Sequence, residues 1–99
     1  VRGIGPGLAA FGVPGTLPDP VLQIFDANNR VVLANDNWHQ GTLVTELRAA
    51  TALVGGFALP DNSRDAAVII SLDPGAYTAQ IVDSAGRSGV SLVEVYEVP

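Results

Sequence analysis

Residues 66 to 98 read AAVIISLDPGAYTAQIVDSAGRSGVSLVEVYEV, three apolar and β-branched runs separated by two clusters of turn-forming residues. That alternation restricts the fold more than any other feature of the chain. Residues 66–71 predict a strand, and Asp73-Pro74-Gly75 a turn. Residues 76–83 predict a second strand with Tyr77, Ala79 and Ile81 on one face. Residues 84–89 turn again, and 90–98 close the chain as a third strand.

The N-terminal half follows the same logic. Val21 to Phe25 (VLQIF) and Val31 to Ala34 (VVLA) flank Asp26-Ala27-Asn28-Asn29-Arg30, whose Asn/Asp chemistry predicts a hairpin. Upstream, Gly3, Gly5, Pro6, Gly7, Gly12, Pro14, Gly15, Pro18 and Pro20 exclude a long regular element. A short strand over 1–4 is expected there, then a loop laid over the core with Phe11 as its anchor. Residues 42–54 (TLVTELRAATALV) are ambiguous: Leu43, Leu47, Ala50 and Val54 sit at helical spacing, while threonines and valines favour strand. Gly55-Gly56 ends this stretch, and Pro60-Asp61-Asn62-Ser63 predicts a turn. The expected fold is all-β, an antiparallel, jelly-roll-like β-sandwich with at most one short helix near 43–53.

Ninety-nine residues bound this to one domain, residues 1–99, able to bury one core. Cysteine is absent, which removes disulfides and thiolate metal sites. Methionine and lysine are absent too, position 1 included, so a processed chain or an excised repeat is expected. Ten acidic residues face five scattered arginines, a formal charge of −5, and nucleic acid is not an expected partner. No apolar run approaches the about eighteen residues of a membrane span, so no membrane insertion is expected.

Beyond these patterns lies a resemblance. The stretches Arg2 to Gly7, Leu17 to Asp26, Asn35 to Trp38, Asp61 to Asp65 and Leu72 to Tyr96 resemble the repeated C-terminal or surface module of large secreted bacterial proteins. That module is in turn similar to the bacterial pre-peptidase C-terminal domain family. The resemblance implies a non-catalytic, extracellular or cell-surface β-sandwich, sometimes calcium-stabilised, acting in structural support, adhesion or attachment. Its partners would be other domains of a larger secreted protein, with a glycan or protein as ligand. Members usually carry a further strand upstream of the Arg-Gly stretch, and a chain lacking it is expected to leave one sheet edge unpaired. Such an edge accepts strands from neighbours, which gives an alternative expectation: a self-assembling subunit of an extracellular filament, joined to identical subunits by strand donation or edge pairing.

The chemistry-bearing residues admit two readings each. Asn35, Asp36 and Asn37, with Asp61 and Asp65 from the other turn at the same end of a sandwich, would offer oxygens to Ca²⁺, which takes about six to eight. The same side chains close turns without any ion, and the spacing is not that of an EF-hand. Trp38 beside His39 forms either a binding surface for a sugar or peptide, or a cap on the core with its indole N–H bonded to backbone.

No G-x-S-x-G elbow accompanies His39, and Gly3-Ile4-Gly5-Pro6-Gly7 lacks the pattern of a phosphate loop, so no enzyme is expected. Arg64 and Asp61 or Asp65 are placed to pair within their turn. Arg2, in an apolar opening strand, is expected to meet Glu94 or Glu97. The last strand carries apolar residues on both faces, which suits a central strand or a contact with another chain.

Overall fold

Strand β2 (Pro20–Phe25) turns Leu22 and Ile24 inward and leaves Val21, Gln23 and Phe25 half-buried on the other face, the period-two pattern of a strand with one face on the core. The computed structural model describes residues 1–41 and 43–99. Thr42, which opens the ambiguous 42–54 stretch, lies outside them. β2 is the centre of one three-stranded antiparallel sheet, between β3 (Val31–Asn35) and β5 (Thr78–Asp83). The β2–β3 hairpin closes as expected. Asp26 Oδ1 accepts the amides of Asn28 and Arg30, and Asn29 takes the left-handed conformation at φ 59°.

A second sheet has β1 (Arg2–Ile4) at its centre, flanked by β4 (Ala66–Ala67) and β6 (Leu92–Glu94), both antiparallel to it. In register, Arg2 lies opposite Ala67 on one side and Glu94 on the other. The two sheets enclose Leu22, Ile24, Ala66 and Val68, with Val1, Leu33, Ala79 and Ile81 packed against them. The architecture is thus a small all-β sandwich with, among the described residues, a single short α-helix. Burial of an aliphatic side chain contributes about 1.5–3 kcal/mol, so a core of this size relies on further ties between its loops and strands.

The ambiguous segment is a helix, α1 (Val44–Val54). Glu46 complements the N-terminal dipole, and Gly55 in the left-handed conformation caps the C-terminus, its amide and that of Gly56 returning to Ala52 and Thr51.

Three expectations need correction. The loop after β1 contains a 3₁₀ helix, Pro6–Phe11, started by Pro6 and stopped by Gly12. Phe11 does not anchor it, being 62% exposed with its ring edge-on to Phe57 at 4.8 Å; Leu8 and Leu17 are buried instead. The strands expected over 66–71 and 90–98 are paired only at Ala66–Ala67 and Leu92–Glu94, because the strand between them, β1, starts at Arg2. β6 is accordingly an outer strand of its sheet, with Leu92, Val93, Val95 and Val98 exposed.

Candidate functional site

The turn at Asn35-Asp36-Asn37 and the turn at Asp61–Asp65 meet at one end of the sandwich, and Asp65 is the point at which they join. Its side chain is fully buried. Oδ1 accepts the amides of Gly5 (2.8 Å) and Gly7 (3.0 Å), and Oδ2 accepts the Ser63 hydroxyl (2.7 Å). The Asp65 carbonyl accepts the Trp38 amide at 2.9 Å. The glycine at position 7 has a steric reason: a Cβ there would stand 2.7 Å from Asp65 Oδ2.

Trp38 sits in a short 3₁₀ turn, Trp38–Gln40, and is only 3% exposed. Its indole N–H donates to Ser63 Oγ at 3.2 Å, a side-chain partner where the sequence suggested backbone. His39 is half-buried, its ring edge-on to Trp38 at 6.3 Å. With its faces covered, Trp38 offers little ring surface for stacking on a sugar. What remains open beside it is a recess of about 250 Å³, lined chiefly by Trp38, Leu47, Arg48, Leu59 and Asp61.

The five oxygen-bearing residues weighed as calcium ligands are distributed over separate tasks. Asn35 Oδ1 accepts the Ala67 amide at 3.1 Å, joining β3 to β4, and its Nδ2 donates to the Asn37 carbonyl. Asn37 Nδ2 donates to Gln40 Oε1. Asp61 is exposed and pairs with Arg48 at 3.2 Å, not with Arg64 of its own turn. Asp36 is exposed and lies against Asp19; partial desolvation, then a hydrogen bond and repulsion from Asp19, push its carboxyl up from the ordinary value. Among the described residues no group of three or more His, Asp or Glu side chains is arranged to hold a metal ion.

Two further polar networks tie the sandwich together. Asp83, buried at the end of β5, accepts the amides of Asp19, Ala85 and Arg87 and the Arg87 Nε–H at 2.8 Å. The Arg87 hydrogen bond, aided by the three amides, holds its carboxyl far below the usual carboxylate range against the opposing effect of burial. The Ser84 hydroxyl donates to Asp19 Oδ2, completing the link between the loop before β2 and the turn after β5. The sequence reading missed Asp83. The signal was there: an Asp followed by Ser, Gly and an Arg four residues on is an Asx turn with a cation in reach.

The other network centres on Arg2, which finds Glu94 and not Glu97. Its Nε donates to Glu94 Oε1 at 2.9 Å, while Nη2 lies 2.8 Å from the same oxygen without a well-aligned hydrogen bond. Nη1 donates to the Phe57 carbonyl, and the guanidinium stands 4.4 Å over the Phe57 ring. Tyr96 donates to Glu94 Oε2 at 2.6 Å, which raises the phenol's pKa. The ion pair therefore holds β1 to β6 and to the segment following α1.

Chemically these arrangements bind backbone. Ser63 spends its proton on Asp65 and its lone pair on the Trp38 indole, and among the described residues His39 makes no hydrogen bond to either. No known family's sequence profile, no curated protein and no solved structure matches the chain.

Proposed function

We propose that this chain is a non-catalytic β-sandwich module of a larger secreted bacterial protein, acting outside the cell in structural support, adhesion or attachment. The observation that carries this reading is the use made of the buried ionisable groups. Arg2, Asp65 and Asp83 are each engaged with main-chain groups, and Arg2 and Asp83 also with Glu94 and Arg87, so that they fasten loops to strands. A module built this way holds its shape and presents surface to its neighbours. The module resemblance carried by Asn35 to Trp38 and Leu72 to Tyr96 supports the extracellular setting. Attachment, on this reading, uses the recess beside Trp38, where an apolar wall meets one cation and one anion, Arg48 and Asp61.

Co-sedimentation with insoluble polysaccharide or collagen tests the reading, together with immunolabelling of intact cells that produce the parent protein. Labelling at the surface, and binding lost on Arg48→Ala with the fold unchanged, are the expected results. Signal only in lysed cells, with no sedimentation on either matrix, would remove the proposal. The alternative of a filament subunit is favoured by one feature, the exposed Val93, Val95 and Val98 along the last strand. Light scattering separates the two, since a stable 10.2 kDa monomer fits the module and micrometre-long threads fit the filament.

A further inference from the structure

A recess of about 650 Å³ lies in the second sheet itself. Residues 68–72 form one wall, residues 95–98 the other, Val1 and Arg2 its mouth, and Leu47, Ala50, Thr51 and Val54 of α1 its floor. These walls continue β4 and β6 past the point where β1 begins. At Arg2 the two flanking strands stand on either side of β1, roughly twice the 4.8 Å strand spacing apart. Beyond Val1 the space between them holds no backbone. The unpaired positions expected at a sheet edge are therefore in the interior of a sheet.

The register fixes what the walls present. Val1 and Val68 exchange both hydrogen bonds, the Val1 nitrogen donating to the Val68 carbonyl at 3.0 Å and the Val68 amide to the Val1 carbonyl at 2.9 Å. In an antiparallel ladder the residues of a central strand bond alternately to one side and the other. Arg2 bonds toward β6, so the next residue upstream would bond Tyr96, then Ile70, then Val98, then Leu72. No main-chain hydrogen bond engages residues 69–72 or 96–98 among the described residues. Ile69 and Ile70 are nevertheless partly buried, a setting in which backbone groups are nearly always paired.

From this we infer that the slot is a strand acceptor, filled by about four residues of extended polypeptide joined to Val1 through a peptide bond and continuing β1 between the two walls. A segment joined at Val1 is favoured over a strand from a second copy by the mouth of the slot. The Val1 nitrogen already occupies the ladder position, half-buried, where an amide N–H makes the same bond to Val68 without placing a charge there. Burial, followed by the nearby Arg2 charge, lowers the pKa of that amine, in keeping with a site that suits an uncharged group. Alternation then sets the chemistry of the occupant. The first and third residues upstream share the face of Arg2 and lie over Leu47, Ala50 and Val54, so both are apolar.

Three N-terminally extended forms of the chain test this: Thr-Leu-Val-Ile, Thr-Asp-Val-Asp and Gly-Ser-Gly-Ser placed before Val1. All three remove the terminal charge from Val1, so differences report the slot alone. The apolar extension is expected to raise Tm by about 5 °C or more over the other two. It should also slow amide exchange at least about tenfold at Ile70, Leu72, Tyr96 and Val98, and not at Ile69, Ser71 or Glu97, whose amides point away. Equal Tm values for the three forms, with unchanged exchange at those four amides, would overturn the inference. Protection already present in the unextended chain and growing with its concentration would assign the slot to a second copy and overturn it equally.

Discussion

Replacing Asp65 with Ala removes the acceptor shared by Gly5 and Gly7 and frees the Ser63 hydroxyl. Each buried donor left without a partner costs about 1–3 kcal/mol, so the two amides alone predict a loss of about 2–6 kcal/mol. For a domain of this size that is a large part of a total stability of about 5–15 kcal/mol. It corresponds to a fall in Tm of roughly 10 °C or more. Asp65→Asn keeps an oxygen where both amides need it and loses chiefly the charge, so its cost is expected near about 1 kcal/mol. Urea unfolding followed through Trp38 is a suitable assay, because that indole is the only one in the chain, is buried, and donates to Ser63, itself bound to Asp65. A loss under about 0.5 kcal/mol for Asp65→Ala, or equal losses for Ala and Asn, would refute the view that this carboxylate works as a backbone acceptor.

Other outcomes follow from the same networks. Glu94→Gln and Arg2→Met should each destabilise, since removing one partner strands the other in a largely buried setting at a cost of about 3 kcal/mol. The double variant should recover part of the loss, and strictly additive denaturant midpoints would contradict the pairing. Asp83 has a folded pKa depressed below the ordinary 3.8. Its stabilisation is therefore present at neutral pH and is lost as pH falls through the unfolded value toward the folded one. Asp83→Asn should flatten the acid limb of a stability-versus-pH curve, and an unchanged limb would count against the Arg87 contact. Calorimetric melting with calcium and with chelator should give the same transition, as Asn35, Asn37, Asp61 and Asp65 already bond protein groups; a chelator-induced drop of several degrees would reinstate an ion.

How far the sequence discloses this structure depends on how local each cause is. The β2–β3 hairpin is legible because Asp26 and Asn29 create it within five residues. The partner of Arg2 narrows to two glutamates because a buried arginine must find a carboxylate, and only the register of β1 on β6 chooses Glu94. Helix α1 is ambiguous in sequence because Leu47, Ala50 and Val54 compete with β-branched neighbours, and the clearest local sign of a helix is the left-handed Gly55 that caps its end. The short reach of β4 and β6 is not legible at all. AAVIIS and VSLVEVYEV are strand sequences, yet pairing needs a neighbour, and β1 supplies one only as far as Val1. The sequence allows the two polar turns to lie at one end of a sandwich, but the role of Asp65 depends on Gly5 and Gly7, some sixty residues upstream, whose approach no local pattern announces.

The fold depends on acidic and amide side chains serving as acceptors and donors for the main chain. Native-state hydrogen exchange of the Gly5, Gly7 and Trp38 amides, in protein stripped of metal with chelator, measures this most directly. All three should exchange slowly, close to the rates of the β2 core, and should not change when calcium is added. Rapid exchange at Gly5 and Gly7 that slows only with an added ion would contradict it.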